Sequence, residues 1–191
     1  MKTIIIILVL NSILHVNAQN NEVDVNSGFT TMDAVSGTYI KDIYNTFTPF
    51  LGTWKYQSGN EIFTIKLEKV TQKYYPEFGT YRDYIKGNYS YTTDGGASFI
   101  VNTIIDDELL PLNFNHEDPL YSSRPDNSQF MEMRFRDVIY QKPCSAVFTF
   151  LTGSTTQINF NLDNVKRGYI LPETMPNENF SVPDNVTLTK E

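Results

Sequence analysis

The sequence predicts an all-β fold, an antiparallel up-and-down meander that closes as a barrel or folds over as a sandwich, preceded by a short helix. Three observations predict it. Apolar and polar side chains alternate with period two along most of the chain after Leu51. Turn-forming triplets rich in Gly, Asn, Asp and Ser separate the alternating runs. Little helical spacing lies between them, which argues for sequential hairpins rather than crossover connections. Open sheet edges invite pairing with other chains, so such a meander is expected to close on itself.

The chain opens with Lys2, an apolar run Ile4 to Leu10, and Val16-Asn17-Ala18, a short positive region, an apolar core and a small-residue cleavage site in that order. This is the pattern of a cleavable export signal over residues 1–18, with Gln19 as the first mature residue and the periplasm or the exterior as destination. A membrane anchor would need about 20 apolar residues, and Asn11, Ser12, His15 and Asn17 interrupt the run. No cysteine stands near the cleavage point, so neither lipid attachment nor another membrane anchor is expected.

Removing the signal takes Lys2 with it, leaving 14 basic against 22 acidic residues and a formal charge of −8. The basic residues are scattered along the chain, and an acidic domain of this kind is not expected to bind nucleic acid or anionic membrane. Cys144 is the only cysteine, so packing rather than an intramolecular disulfide has to hold the fold. Residues 19–36 are polar and read as a flexible leader, and residues 37–191 as a single domain.

Ile40, Ile43, Tyr44 and Phe47 stand at the i, i+3, i+4, i+7 spacing of a helical face, with Ser36 or Thr38 as caps and Pro49 as the stop. Strands follow. Phe63, Ile65 and Leu67 alternate with Thr64, Lys66 and Glu68; Ile85, Tyr89 and Tyr91 alternate with Arg82, Lys86, Asn88 and Ser90. Residues Ala97 to Ile105 are apolar on both faces and form the next strand. Met131, Met133 and Phe135 alternate with Glu132, Arg134 and Arg136 until Asp137 breaks the phase, where a bulge is expected. Phe148 and Phe150, then Ile158, Phe160 and Leu162, then Val186 and Leu188, complete eight strands counted from Leu51. The triplets at 58–60, 94–96 and 153–155 are hairpin turns. Two connections, 106–127 and 164–184, are too long for hairpins. The first contains Leu109, Leu110, Leu112 and Phe114, which are expected to fold back on the sheet as a flap.

The segment "FLGTWKY", Phe50 to Tyr56, holds the only tryptophan. A short helix leading into a Gly-x-Trp strand resembles the first strand of the lipocalin and fatty-acid-binding (calycin) superfamily. More closely, "YIKDIYNTFTPFLGTWKYQSGNEIFTIKLEKV" and "SVPDNVTLTK" resemble an uncharacterised family of exported proteins from Bacteroidetes-type bacteria, a likeness covering nearly the whole mature chain. The resemblance implies an eight-to-ten-stranded antiparallel up-and-down, lipocalin-like barrel and carries no known activity. By alternation Gly52 and Trp54 share one face, so the indole covers the barrel's end where the backbone can pass closely. Lipocalins stack a basic side chain on this Trp; here the candidates are Lys190 and Arg167.

Catalytic patterns are missing, and no enzyme is expected. His116 is the only histidine of the mature chain, and the turn at Gly153-Ser154 is not a nucleophile elbow. Cys144, between Pro143 and Ser145, reads as a buried inert thiol rather than the partner of His116. No metal-ligand spacing is present and no cofactor is implied; Asp106-Asp107-Glu108 and Glu117-Asp118 read as solvated loop ends. Two functions remain. In the first, favoured by the lipocalin resemblance, the barrel holds a small apolar ligand lined by Trp54, Phe63, Ile65, Tyr89, Phe99 and Phe148. In the second, such side chains fill the barrel, and its surface or its long loops bind a protein or glycan at the cell envelope. Interior volume decides between them, and Gly87 and Ala97 are the residues expected to make space.

Overall fold

A computed structural model describes residues 21–29, 34–104, 119–122, 127, 129–164 and 179–191. They form eleven strands: β1 (Glu22–Asp24), β2 (Tyr39–Lys41), β3 (Gly52–Ser58), β4 (Glu61–Tyr75), β5 (Thr80–Thr92), β6 (Val101–Asn102), β7 (Leu120–Ser122), β8 (Phe130–Asp137), β9 (Lys142–Phe150), β10 (Gln157–Asn164) and β11 (Val186–Lys190). Eight of them close a ring in the order β5-β4-β3-β11-β10-β9-β8-β7, with β7 pairing back onto β5. Every pairing in the ring is antiparallel, so the predicted barrel is present. Closure leaves the wall without an edge. Outside the ring, β1 and β2 pair in parallel and β2 joins β5, also in parallel, while β6 pairs β5 near its end.

The period-two readings of β4, β5, β8, β9, β10 and β11 hold, because alternation puts one face of each strand into the core. In β8, Met131, Met133, Phe135 and Asp137 are buried while Glu132, Arg134 and Arg136 face outward. The turn triplets hold as well. Gly59 turns β3 into β4, Gly95 and Gly96 lead from β5 towards β6, and Gly153 separates β9 from β10, all at positive φ.

Four expectations are corrected. The helix over Ile40 to Phe47 is absent: its first residues are β2, held by β1 and β5, and the rest is turn up to a 3-10 turn at Thr48–Phe50. Backbone pairing on both sides of β2 outweighs the helical spacing of four apolar side chains. The strand read at Ala97 to Ile105 shrinks to the two residues of β6, outside the ring. The fourth stave of the wall is instead β7, within the stretch read as a connection. Finally, no bulge occurs at Asp137, which pairs with Lys142 in register and is fully buried. The bulge lies in β4, between Val70 and Lys73, where Gln72 takes φ 54°.

Within the polar stretch 19–36, β1 runs beside β2 and Val25 is buried. The expected signal, the apolar flap, His116, Arg167 and the acidic pieces at 106–108 and 117–118 fall outside the described residues. Among the described residues no helix is long and apolar enough to cross a membrane. The outer wall carries Lys66, Glu68, Lys86 and Arg134, while Phe63, Ile65, Leu67, Ile85, Met133 and Phe135 of the same strands are buried.

Candidate functional site

The barrel has two ends. At the first, the 3-10 turn Thr48–Phe50, with Pro49 at its centre, brings the carbonyls of Pro49 and Phe50 within hydrogen-bond reach of Lys190 and Trp54. Trp54 is fully buried there, and its indole Nε1 donates to the Phe50 carbonyl at 2.7 Å. Phe150 meets the indole edge-on at 5.8 Å and the Phe50 ring at 5.2 Å. Strand pairing sets Lys190 opposite Trp54, with Nζ 5.2 Å from the indole ring and donating to the Pro49 carbonyl at 3.1 Å. Of the two basic candidates, Lys190 therefore occupies the place over the Trp. Gly52 makes that possible. Its φ of +117° is one L side chains rarely adopt, and a Cβ there would come within 3.2 Å of Lys190 Cε. The Gly-x-Trp spacing thus clears a path for the lysine stem beside the indole.

Between the ends, rings from five strands meet. Phe63 of β4 lies 6.1 Å from Tyr89 of β5 and 5.4 Å from Phe160 of β10, measured between centroids. Tyr89 stacks on Phe135 of β8 at 4.8 Å, and Phe148 of β9 packs on Phe160 at 5.3 Å. All five rings are buried. The Tyr89 hydroxyl donates to the Arg136 carbonyl at 3.0 Å and accepts from the Val138 amide at 2.9 Å. Burial pushes its ionisation well above the ordinary tyrosine value. Of the side chains expected to line a ligand, Trp54, Phe63, Ile65, Tyr89 and Phe148 are together in the core, and each touches no solvent. Phe99 is not with them: it stands 49 % exposed between β5 and β6. The expected space makers do not make space. Ala97 is exposed on that same connection. A Cβ on Gly87 would come within 2.6 Å of Leu67 Cδ2 and 3.1 Å of Leu120 Cβ, so neighbouring side chains already use its room.

The second end is closed by polar groups. Asp137 accepts from the Ser181 amide at 2.7 Å, the Ser181 hydroxyl at 2.6 Å and the Tyr140 amide at 3.0 Å. Lys142 Nζ donates to Asn164 Oδ1 at 2.9 Å and the Asn179 carbonyl at 2.7 Å, and lies 4.4 Å from the Phe180 ring centroid. Cys144 is buried beside this cluster, and desolvation pushes its thiol up to about 11, so the nucleophilic thiolate is disfavoured.

A third constellation escapes any reading of the sequence. Below the ring, where β4 and β5 run on as an arm that β2 and β1 extend, Asp42 and Asp83 are buried side by side around Lys69, whose Nζ is 2.9 Å from the first and 3.5 Å from the second. Asp83 also accepts from the Tyr39 hydroxyl at 2.6 Å, the Gln72 amide at 2.9 Å and the Asp42 amide at 3.1 Å. Asp42 accepts from the Thr46 amide and hydroxyl at 2.7 and 2.8 Å. Burial alone would raise the Asp42 carboxyl; the bonds from Lys69 and Thr46 outweigh it and hold the group below its ordinary value. With their lone pairs spent on amides, hydroxyls and one ammonium, the two carboxylates form a latch between β2, β4 and β5 rather than an acid–base pair. The bulge at Gln72 is what turns its amide towards Asp83. Among the described residues no three His, Cys, Asp or Glu side chains gather as metal ligands do.

Compared with known proteins, the chain matches over residues 1–191 the model of a family described as of unknown function, DUF6705. No curated protein and no solved structure matches it.

Proposed function

We propose, for a chain that belongs to the family of unknown function DUF6705, that it is an exported barrel occupied by its own side chains, acting through its outer surface on a protein or glycan at the cell envelope. The observation that carries this reading is the ring cluster Phe63–Tyr89–Phe135–Phe148–Phe160, whose members touch one another across the interior. Two supports join it. Gly87 leaves no room for even one added carbon, and the Tyr89 hydroxyl is already bonded at the second end. A small-molecule site needs concave, unfilled volume with a few convergent polar groups, and these side chains use the volume and the polar groups on each other.

Export rests on the N-terminal pattern of residues 1–18 and on the likeness to exported proteins of Bacteroidetes-type bacteria. The competing reading, a small apolar ligand held in the barrel, rests on the lipocalin-like Gly-x-Trp strand and the barrel architecture. No catalytic role is assigned, since the buried carboxylates and the buried thiol are tied up in packing and hydrogen bonds.

Native mass spectrometry of the protein purified from its own host separates the two readings. The surface reading expects the mass of the chain from Gln19 onward and nothing retained. A stoichiometric small molecule carried through purification would reverse the order, and Met1 retained on a membrane-bound species would remove the export.

A further inference from the structure

Strands β8, β9 and β10 lie side by side, and their register gathers three polar residues on one face at the second end of the barrel. Asp137 of β8 is directly opposite Lys142 of β9, and Cys144, next along the same face of β9, is opposite Asn164 of β10. Asp137, Lys142 and Cys144 are all buried. Across this face Lys142 Nζ donates to Asn164 Oδ1 at 2.9 Å. Nζ also donates to the Asn179 carbonyl at 2.7 Å, and the Phe180 ring centroid lies 4.4 Å from it. Asp137 holds that covering segment in place by accepting from the amide and the hydroxyl of Ser181.

A primary amine that attacks a carboxamide carbon gives a secondary amide and expels ammonia. In free solution the encounter is too rare to matter, but holding two groups in place is worth an effective concentration of about 10⁵–10⁸ M. Here strand pairing fixes both backbones, and the Asn179 carbonyl holds Nζ from a second side. The last torsion of an asparagine side chain is soft, so a turn of the Asn164 amide plane presents Cγ to Nζ at the ~3–3.5 Å of a near-attack arrangement. Lys69 in the arm meets Asp42 and Asp83 instead, and an ionised carboxylate is a poor electrophile. Lys142 meets a neutral amide with a leaving group.

We propose that Lys142 and Asn164 join in the folded protein as an intramolecular isopeptide bond. The Nζ–Cγ bond forms and the Cγ–Nδ2 bond breaks. Two of the three protons of the Lys142 ammonium pass to Nδ2, which leaves as ammonium. Nothing is oxidised or reduced, and no second substrate enters. A cross-link between strands constrains the unfolded chain as a disulfide does. The bond ties β9 to β10 at the end of the barrel opposite Trp54, in a chain whose single cysteine, Cys144, has no partner for an intramolecular disulfide.

The test is a protease digest of the full chain purified from its own host, mapped by mass spectrometry. The expected result is a branched peptide that joins the segments around Lys142 and Asn164 and is lighter than their sum by one ammonia. Gln19, as a first residue, can also cyclise with loss of ammonia, so the branched peptide decides and the intact mass does not. Lys142→Arg and Asn164→Ala should each give linear peptides at these positions and unfold at a lower temperature than the parent, with blue Trp54 emission showing that both still fold. The digest of the parent decides even where a variant fails to fold. Linear peptides carrying unmodified Lys142 and Asn164 from the folded parent would overturn the proposal. So would a branched peptide lighter by one water, which would place the bond at a carboxylate such as Asp42, or one that persists in Asn164→Ala.

Discussion

Trp54 shows how much one residue can decide. Its indole is dry, its Nε1 is satisfied by Phe50 and its face is covered by Lys190. Native emission should therefore lie to the blue of a solvated tryptophan. Truncation to alanine removes a buried aromatic and should cost about 3–5 kcal/mol in denaturant unfolding. Lys190→Met should cost less, about 2 kcal/mol, because the aliphatic stem survives while the cation–π contact and one charge-assisted bond to Pro49 are lost. A red-shifted, readily quenched native indole would contradict this arrangement. Cys144 makes a second expectation at the same scale. With its thiol pushed up to about 11 and no solvent contact worth the name, thiol reagents at pH 8 should label it only at the rate of unfolding. Rapid stoichiometric labelling of the folded protein would show the site open. Trp54 and Lys190 were both legible in the sequence, since Gly-x-Trp spacing and a basic residue beyond Leu188 are local signals. The carbonyl that Trp54 bonds was not, because it depends on the 3-10 turn.

At the scale of elements, local signals worked where side chains alternate and failed where pairing partners decide. The β4, β5, β8 and β10 patterns read correctly where they form the ring, because there one face of each is buried, as at Phe63, Ile65 and Leu67 of β4. The stretch from Ile40 to Phe47 reads as helix because spacing alone cannot see β1 and β5 on either side of β2. Strand β7 was invisible for a related reason: three residues carry too little period, and only its fit between β5 and β8 makes it a stave. The Asp42–Lys69–Asp83 latch joins residues 27 and 41 positions apart, so no motif could reveal it. Its pH dependence follows from the sign of one shift. Asp42 is held below its ordinary value in the fold, so its contribution is complete above about pH 4, the unfolded value. It is lost as pH falls through the lower folded value. Asp42→Asn should accordingly destabilise the protein at neutral pH and much less in strong acid, as thermal unfolding against pH would report. A loss that stayed constant down to pH 2 would show that the charge of Asp42 does not hold the latch.

For the whole molecule, the closure of the ring matters more than any one strand. Strand β11 joins β3 to β10, and removing residues 186–191 would expose an unpaired edge on each. The truncated chain should associate, and light scattering should show it; a monodisperse monomer would mean the wall does not depend on closure. Whether the barrel is open or filled could not be read from the sequence, because the rings that would line a cavity are also the rings that would fill one. Residue identity supplied the aromatics, while their mutual distances and the crowding at Gly87 depend on how eight strands curve together.

That filled interior is the claim on which the functional reading turns, and a fluorescence titration of the native protein with an anilinonaphthalene sulfonate tests it most directly. A barrel occupied by Phe63, Tyr89, Phe135, Phe148 and Phe160 should give no saturable enhancement while Trp54 emission stays blue. One saturable site of unit stoichiometry, with energy transfer from Trp54 and sensitivity to Phe148→Trp, would place an apolar cavity inside the ring and contradict it.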